Sequence, residues 1–171
     1  EYILDTACGS AGFLSVALEN IRKQINTLYA NRGFSKEKKR GMLKDYAGKY
    51  VFGCDIDPLL YRISKSYMAI MGEGKGNIYN LDSLDLTNRL DPNFRRSVTE
   101  GSVDIITTNP PFGTQIKDPR RDVLRTYDLG HKIINGEPTN EVLEGQDPDK
   151  LFLERDISYL KEATNDADGG R

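Results

Sequence analysis

Cysteine and histidine are scarce in this chain. Its 171 residues hold two cysteines, Cys8 and Cys54, and a single histidine, His131. A tetrahedral zinc site needs more ligands at closer spacing. Two distant cysteines make no disulfide framework, which points to a reducing, cytoplasmic setting. A Ser-His-Asp or Cys-His mechanism would have to run through His131, which sits in the polar stretch Asp128-Leu129-Gly130-His131-Lys132 and reads as a surface histidine. No apolar run approaches the roughly 20 residues of a membrane span. The opening Glu1-Tyr2-Ile3-Leu4-Asp5 has neither the basic start nor the apolar stretch of a signal peptide. Charge of one sign is lacking too: the formal net charge is −2. That excludes a uniformly basic nucleic-acid coat but leaves room for a local basic cleft.

What is there is enough for one domain with a true core, because the length matches a single unit and 37% of residues are hydrophobic. Tyr2-Ile3-Leu4 reads as a short strand running into the small-residue turn Asp5 to Gly12. Leu14, Leu18, Ile21, Ile25 and Leu28 then step by four, three, four and three, the period of an amphipathic helix. Gly33 breaks it, and Lys36 to Arg40 reads as a solvated helix face. Tyr50 to Cys54 is a second strand, Leu60, Ile63, Tyr67 and Ile70 mark a second helix ended by Gly72, Gly74 and Gly76, and Asn77-Ile78-Tyr79 is a third strand. Val103 to Thr108 is β-branched and reads as the clearest strand of all. From Phe112 to Pro148 no period holds, so residues 113–148 are expected to form a long, mobile loop with at most one short helix. Leu153, Ile157 and Leu160 form a last helix face, ended by a turn from Asn165 to Gly170. The alternation predicts an α/β fold with a mostly parallel sheet. Starting inside a strand and stopping where the next one is due, the sequence reads as a partial domain lacking the last strands.

Four places in this pattern carry chemistry. The first is Asp5-Thr6-Ala7-Cys8-Gly9-Ser10-Ala11-Gly12, where small residues between strand and helix let backbone amides approach a ligand. Asp5 at its entrance would repel a pyrophosphate and attract the cationic amino group of an amino acid. An ordinary tight turn explains the same residues equally well. The second is Asp55, placed to accept both hydroxyls of a ribose; Asp57, before Pro58, is better placed as a helix cap. Asp55 follows Asp5 by 50 positions where dinucleotide folds use about 20, an excess explained by a helical excursion over Tyr29–Tyr46. The third is Asp82, an acceptor for an aromatic amino group or a simple turn cap. The fourth and sharpest is Asn109-Pro110-Pro111-Phe112. Its two prolines fix the backbone and remove two donors, leaving an Asn oxygen, a proline carbonyl and an aromatic face. That combination suits an exocyclic amino group on a planar ring.

Asp5 to Phe13, Asp55-Ile56-Asp57-Pro58, Asp82-Ser83-Leu84 and Asn109-Pro110-Pro111-Phe112-Gly113 together resemble the motif series of N6-adenine DNA methyltransferases, and above all the modification subunit of type I restriction–modification systems. Leu151-Phe152-Leu153-Glu154, Leu160-Lys161 and Gly169-Gly170-Arg171 resemble the helix and turn that follow in those subunits. Two positions depart from the family pattern, which usually has proline at Thr6 and glycine at Ala11; both replacements are small. The resemblance implies a Rossmann-like, S-adenosyl-L-methionine-dependent fold. It implies cofactor contacts from Asp5, Ala7, Cys8, Gly9, Ser10, Gly12, Phe13, Asp55, Ile56, Asp82, Ser83 and Asn109, and catalysis by Asn109, Pro110, Pro111 and Phe112. It implies as partners double-stranded DNA, a specificity subunit, a second modification subunit and a restriction subunit. The alternatives are methylation of another nitrogen, in an RNA base or a protein glutamine, and a non-catalytic cofactor-binding assembly module. Cys8 is not expected to be a nucleophile, and the basic residues Lys117, Arg120, Arg121 and Arg125 are expected to meet DNA phosphates.

Overall fold

A computed structural model describes residues 1–72, 76–85, 91–112, 117–164 and 169–171. Strand β1 (Ile3–Asp5) is followed by helices α1 (Gly12–Leu28) and α2 (Lys36–Tyr50), strand β2 (Val51–Asp55), helix α3 (Pro58–Met71) and strand β3 (Asn77–Asn80). Then come α4 (Pro92–Ser97), β4 (Ile105–Ile106), α5 (Arg121–Leu124), a 3-10 turn at Asp128–Gly130, β5 (His131–Ile134), β6 (Glu137–Val142) and α6 (Pro148–Tyr159). The first four strands make one parallel sheet in the order β3-β2-β1-β4. The chain winds outward from β1 to β3 and then returns to the other side of β1. The strand order therefore reverses between β1 and β4, and at such a point a crevice opens at the carboxyl ends of the strands.

Strand alternation sorts the core into two layers. Ile3 and Val51 join Leu14, Leu18, Leu43, Ala47 and Met68 beneath α1, α2 and α3. Leu4 and Phe52 point the other way, to Leu81, Phe94, Val103 and Tyr159. Gly53 lets α1 sit close to the sheet, since a Cβ there would meet Leu14 Cδ1 at 2.7 Å and Ile78 Cδ1 at 2.8 Å and make both side chains shift. The expected helical excursion is α2, capped by the Ser35 hydroxyl, which accepts the Lys38 N–H at 3.2 Å, and anchored by Leu43 and Ala47.

Four expectations need correction. Of Val103 to Thr108 only Ile105 and Ile106 form a regular ladder; Val103 makes an isolated bridge to Leu160 and the chain bends at Asp104. The amides of Asp104 and Ile105 both donate to the Tyr2 carbonyl, the two-against-one pairing of a bulge. In α3 the buried residues are Ser64 and Met68, while Ile63, Tyr67 and Ile70 are exposed. Ser64 is tolerated inside because its hydroxyl donates to the Tyr61 carbonyl at 2.9 Å. In α6 the buried face is Leu151, Phe152, Arg155 and Tyr159, with Leu153 and Ile157 58% and 61% exposed. Arg155 goes inside because its guanidinium lies 4.1 Å from the Tyr159 ring centroid and bonds the Tyr159 hydroxyl.

The fourth correction is the expected loop. Residues 117–148 hold α5, the 3-10 turn and a β5–β6 hairpin, with a core of Val123, Leu124 and Tyr127 packed on Leu84, Leu151 and Phe152. The segment's ends are zipped by the Asp118 and Gln146 backbones (2.8 and 3.2 Å). The hairpin turns on Asn135-Gly136, both at positive φ (54° and 88°), the pairing that two-residue hairpins prefer. Gly74, Gly113 and Asn165 lie outside the described residues.

Candidate active site

The carboxyl ends of β1, β2, β3 and β4 frame a cleft of about 500 Å³. Of the residues expected there, Ala7, Gly9, Asp55, Ile56, Asp82, Ser83, Asn109 and Pro111 line it. Asp5, Cys8, Ser10, Gly12, Phe13, Pro110 and Phe112 are not on its wall. Asp5 and Cys8 are buried beneath, while Phe13 and Phe112 are exposed. Thr6, Leu60, Leu81, Arg120, Pro148 and Phe152 also line the cleft and were not singled out as contacts from sequence. A second concavity, between α1 and α2, lies away from these strand ends.

The turn after β1 is tied to β2 by the Cys8 N–H, which donates to the Cys54 carbonyl at 2.8 Å. Gly9 (φ 53°) and Ala11 (φ 66°) both sit in the left-handed region. An alanine there is disfavoured by roughly 1 kcal/mol. At Gly9 no atom lies within 4 Å of a would-be Cβ, so its backbone faces open space.

Asp55 organises the floor. Its Oδ2 accepts the Gly9 N–H at 2.8 Å and its Oδ1 the Asp57 N–H at 2.9 Å. A carboxylate offers about four lone-pair sites, so acceptor capacity remains on both oxygens. The Asn80 amide donates to the Asp55 and Ile56 carbonyls at 2.9 and 3.0 Å, fixing the bend at the end of β2. Asp57 is the cap it was expected to be, accepting the Leu59 and Leu60 amides. Ile56 stays 65% exposed although Leu60 and Leu81 share its cleft, giving an apolar wall against which a flat ring can lie.

Asp82 and Ser83 are less free than the motif implied. Asp82 Oδ1 accepts the Leu84 N–H at 3.0 Å, and its Oδ2 is ion-paired with Arg120, which also chelates Asp118. Burial pushes the Asp118 carboxyl up, but the Arg120 bonds outweigh it and hold it below its ordinary value. Arg120 is thus engaged in a bridge across the cleft rather than held out toward solvent. Lys117, Arg121 and Arg125 remain exposed. The Ser83 hydroxyl donates to the Thr6 carbonyl at 2.6 Å, so it braces the turn.

Asn109 is exposed at the cleft rim just past β4, and among the described residues nothing hydrogen-bonds its side chain. Phe112 beside it is 68% exposed. Beneath the rim lie two acids. Burial raises Asp5 from 3.8 to about 7, against the bond from the Ala7 N–H. Burial likewise raises Asp156 to about 6, against the bond from Thr6. Burial also pushes the Cys8 thiol up to about 12, which leaves it protonated and unsuited to nucleophilic attack.

The Asp5 shift has a measurable consequence. An acid whose folded pKa is raised holds its proton more tightly when folded, so its stabilising contribution is full below about pH 4 and is lost as pH rises through about 7. Thermal stability is expected to fall over that window, and Asp5→Asn to flatten the fall near neutrality. An equally steep profile in the variant would contradict the assignment.

The N-6 DNA Methylase family matches residues 1–141. The chain is 30% identical over 122 residues to the methylase subunit of the type I restriction enzyme MjaIX of Methanocaldococcus jannaschii, which covers 70% of this chain and 16% of that protein. It resembles in fold a modification subunit assigned to a type I restriction enzyme of Vibrio vulnificus YJ016, with TM-score 0.62, 24% identity, and 99% of this chain against 28% of that one. The M protein of the type I restriction enzyme EcoKI gives TM-score 0.51 and 18% identity over 93% of this chain and 27% of that one. A class I S-adenosylmethionine-dependent methyltransferase of Listeria monocytogenes gives TM-score 0.50 and 22% identity over 92% of this chain and 35% of that one. The chain therefore spans about a sixth of the curated relative and under a third of the two restriction-enzyme subunits. The fold is thus similar to that of these solved methyltransferase and modification-subunit structures, and the chain belongs to the N-6 DNA methylase family.

Proposed function

We propose that the protein carrying this chain methylates the N6 amino group of adenine in double-stranded DNA, using S-adenosylmethionine, as the modification subunit of a type I restriction–modification system. Its partners would be a specificity subunit, a second modification subunit and a restriction subunit. The observation that carries this reading is that Asn109 and Pro111 share one cleft with Gly9, Asp55 and Ile56. An amino-group acceptor thus stands beside a pocket with spare carboxylate lone pairs and an apolar wall.

The residues fit the cofactor. Asp55 would hold the ribose hydroxyls on its free lone pairs, and Ile56 would offer its exposed side chain to the adenine. Ala7 and Gly9 offer a close backbone, with Ser10, Gly12 and Phe13 in the supporting turn. Asp5 would act on the amino-acid end indirectly, by holding the Ala7 amide of the turn from beneath the floor. Bound S-adenosylmethionine supplies a methyl group already activated on a sulfonium. The protein therefore needs no nucleophile of its own. Asn109 Oδ1 and the Pro110 carbonyl would accept the two N6–H bonds, aiming the nitrogen lone pair at the sulfonium methyl and stabilising positive charge as it develops on N6; the N–C bond would form as the C–S bond breaks to leave a neutral thioether, and one N6 proton would leave to solvent. Pro111 keeps the segment extended. Phe112 stacks on a base turned out of the duplex, since the amino group is inaccessible within the stack.

Phe112→Ala is expected to weaken the extruded state by about 1–3 kcal/mol, and Phe112→Trp to retain part of the activity. Fluorescence of 2-aminopurine at the target position reads this directly; equal signals in wild type and Phe112→Ala would remove the stacking role. The acceptor class is tested by offering the assembled enzyme labelled cofactor with duplex DNA, RNA and protein. Label is expected in DNA. Label in RNA or protein alone would overturn the substrate assignment.

A further inference from the structure

The last described backbone bond between β4 and β1 is the Thr107 N–H donating to the Leu4 carbonyl at 3.0 Å. Asn109 lies two residues beyond it. The next tie in that direction is made by side chains. The Thr6 hydroxyl donates to Asp156 Oδ1 at 2.8 Å, and Thr6 Oγ1 lies 3.3 Å from Thr108 Oγ1. A hydroxyl has one proton. With that proton committed to Asp156, Thr6 Oγ1 can only accept from Thr108, whose hydroxyl is also hydrogen-bonded to the buried Asp5 carboxyl. Thr6 is also gripped at its carbonyl by Ser83 and is almost fully buried. Three elements meet at this one residue: α6 through Asp156, the end of β3 through Ser83, and the strand end carrying Asn109 through Thr108.

We propose that Asp156 is a positioning residue for the methyl-transfer step, acting through Thr6 and Thr108 to fix where Asn109 stands relative to the cofactor turn. Without the Thr6 hydroxyl, a carboxylate at position 156 would be largely buried with no donor from the turn, which is costly. The contact also explains why an acid is tolerated on the inward side of α6 near Asp5, where the two carboxylates repel. Thr6 lines the cleft but Asp156 does not, so loss of the Asp156 carboxylate displaces Asn109 without removing a side chain from the cleft wall.

The proposal rests on Asn109 being the amino-group acceptor, and the test separates the two. Single-turnover methyl transfer at saturating cofactor is compared for wild type, Asp156→Ala, Asp156→Asn, Thr6→Val, the Thr6→Val/Asp156→Ala double variant and Asn109→Ala, in the full-length assembled enzyme. Misplacing a reacting group by about 1 Å costs up to ~100-fold, so Asp156→Ala and Thr6→Val are each expected to be roughly 10- to 100-fold slower. Cofactor affinity of Asp156→Ala stays within about twofold of wild type. Asp156→Asn keeps an acceptor and restores most of the rate. The double variant is no slower than the slower single one, because the two share one bond. Multiplying defects, failure of Asp156→Asn to rescue, or a normal rate in Asp156→Ala would each overturn the positioning role. A normal rate in Asn109→Ala would instead overturn the underlying assignment of Asn109.

Discussion

Asn109→Ala is expected to slow methyl transfer by about 10²–10³-fold while leaving cofactor affinity intact, the size of effect seen when one preorganised polar group is removed from a transition state. The two effects separate because of where Asn109 sits. It stands at the rim past β4, whereas Asp55 and Ile56 stand at the end of β2, with β1 between those strands. Adenine N6 is a poor nucleophile because its lone pair is shared with the ring. Accepting both N–H bonds recovers that lone pair, and the interaction strengthens as the nitrogen becomes positive. Asn109→Asp keeps an acceptor but brings a charge to the rim, so partial activity is expected. Rapid-quench single-turnover rates together with calorimetric cofactor titration check this. A fall in affinity with an unchanged rate would be the opposite of what the geometry implies.

Asp55→Ala is expected to act on the other half of the site and to weaken cofactor binding by about 10- to 100-fold. Hydrogen bonds to a charged group contribute about 1.5–3 kcal/mol, and each ~1.4 kcal/mol is tenfold in affinity. The loss has two sources. The acceptors proposed for the ribose go, and so do the bonds that hold the Gly9 and Asp57 amides at 2.8 and 2.9 Å. Asp55→Asn retains one carbonyl oxygen and is expected to fall between the two. Calorimetry gives the affinities, and exchange of the Gly9 amide shows whether the turn has loosened. Wild-type affinity in Asp55→Ala would remove the ribose assignment.

The strand-end acids and the Asn-Pro-Pro-Phe segment were legible because they are local: each needs only a short strand and the turn after it. The cap at Asp57 was legible for the same reason, since Pro58 marks the first helical turn. Periodicity located α1, α3 and α6 but misjudged the inward face of α3 and α6. A helical period reports an apolar stripe, whereas burial is decided by what lies opposite. In α6 the decision went to Arg155, whose charge is met by Tyr159 and Glu100. The hairpin at Asn135-Gly136 carried a readable turn signal, masked by strands too polar to alternate cleanly. The Asp118–Arg120–Asp82 bridge was not legible, because it joins positions far apart in sequence across the cleft. The same holds for Thr6 and Asp156, which are 150 positions apart.

The most direct measurement of the central claim is the identity of the methylated nucleoside. The full-length enzyme, assembled with its specificity subunit, is incubated with isotopically labelled S-adenosylmethionine and duplex DNA, and the digested product is resolved by mass spectrometry. The label is expected on N6 of adenine in the wild type and to be nearly lost in Asn109→Ala. Label on cytosine N4, or undiminished N6-methyladenine in Asn109→Ala, would contradict the account.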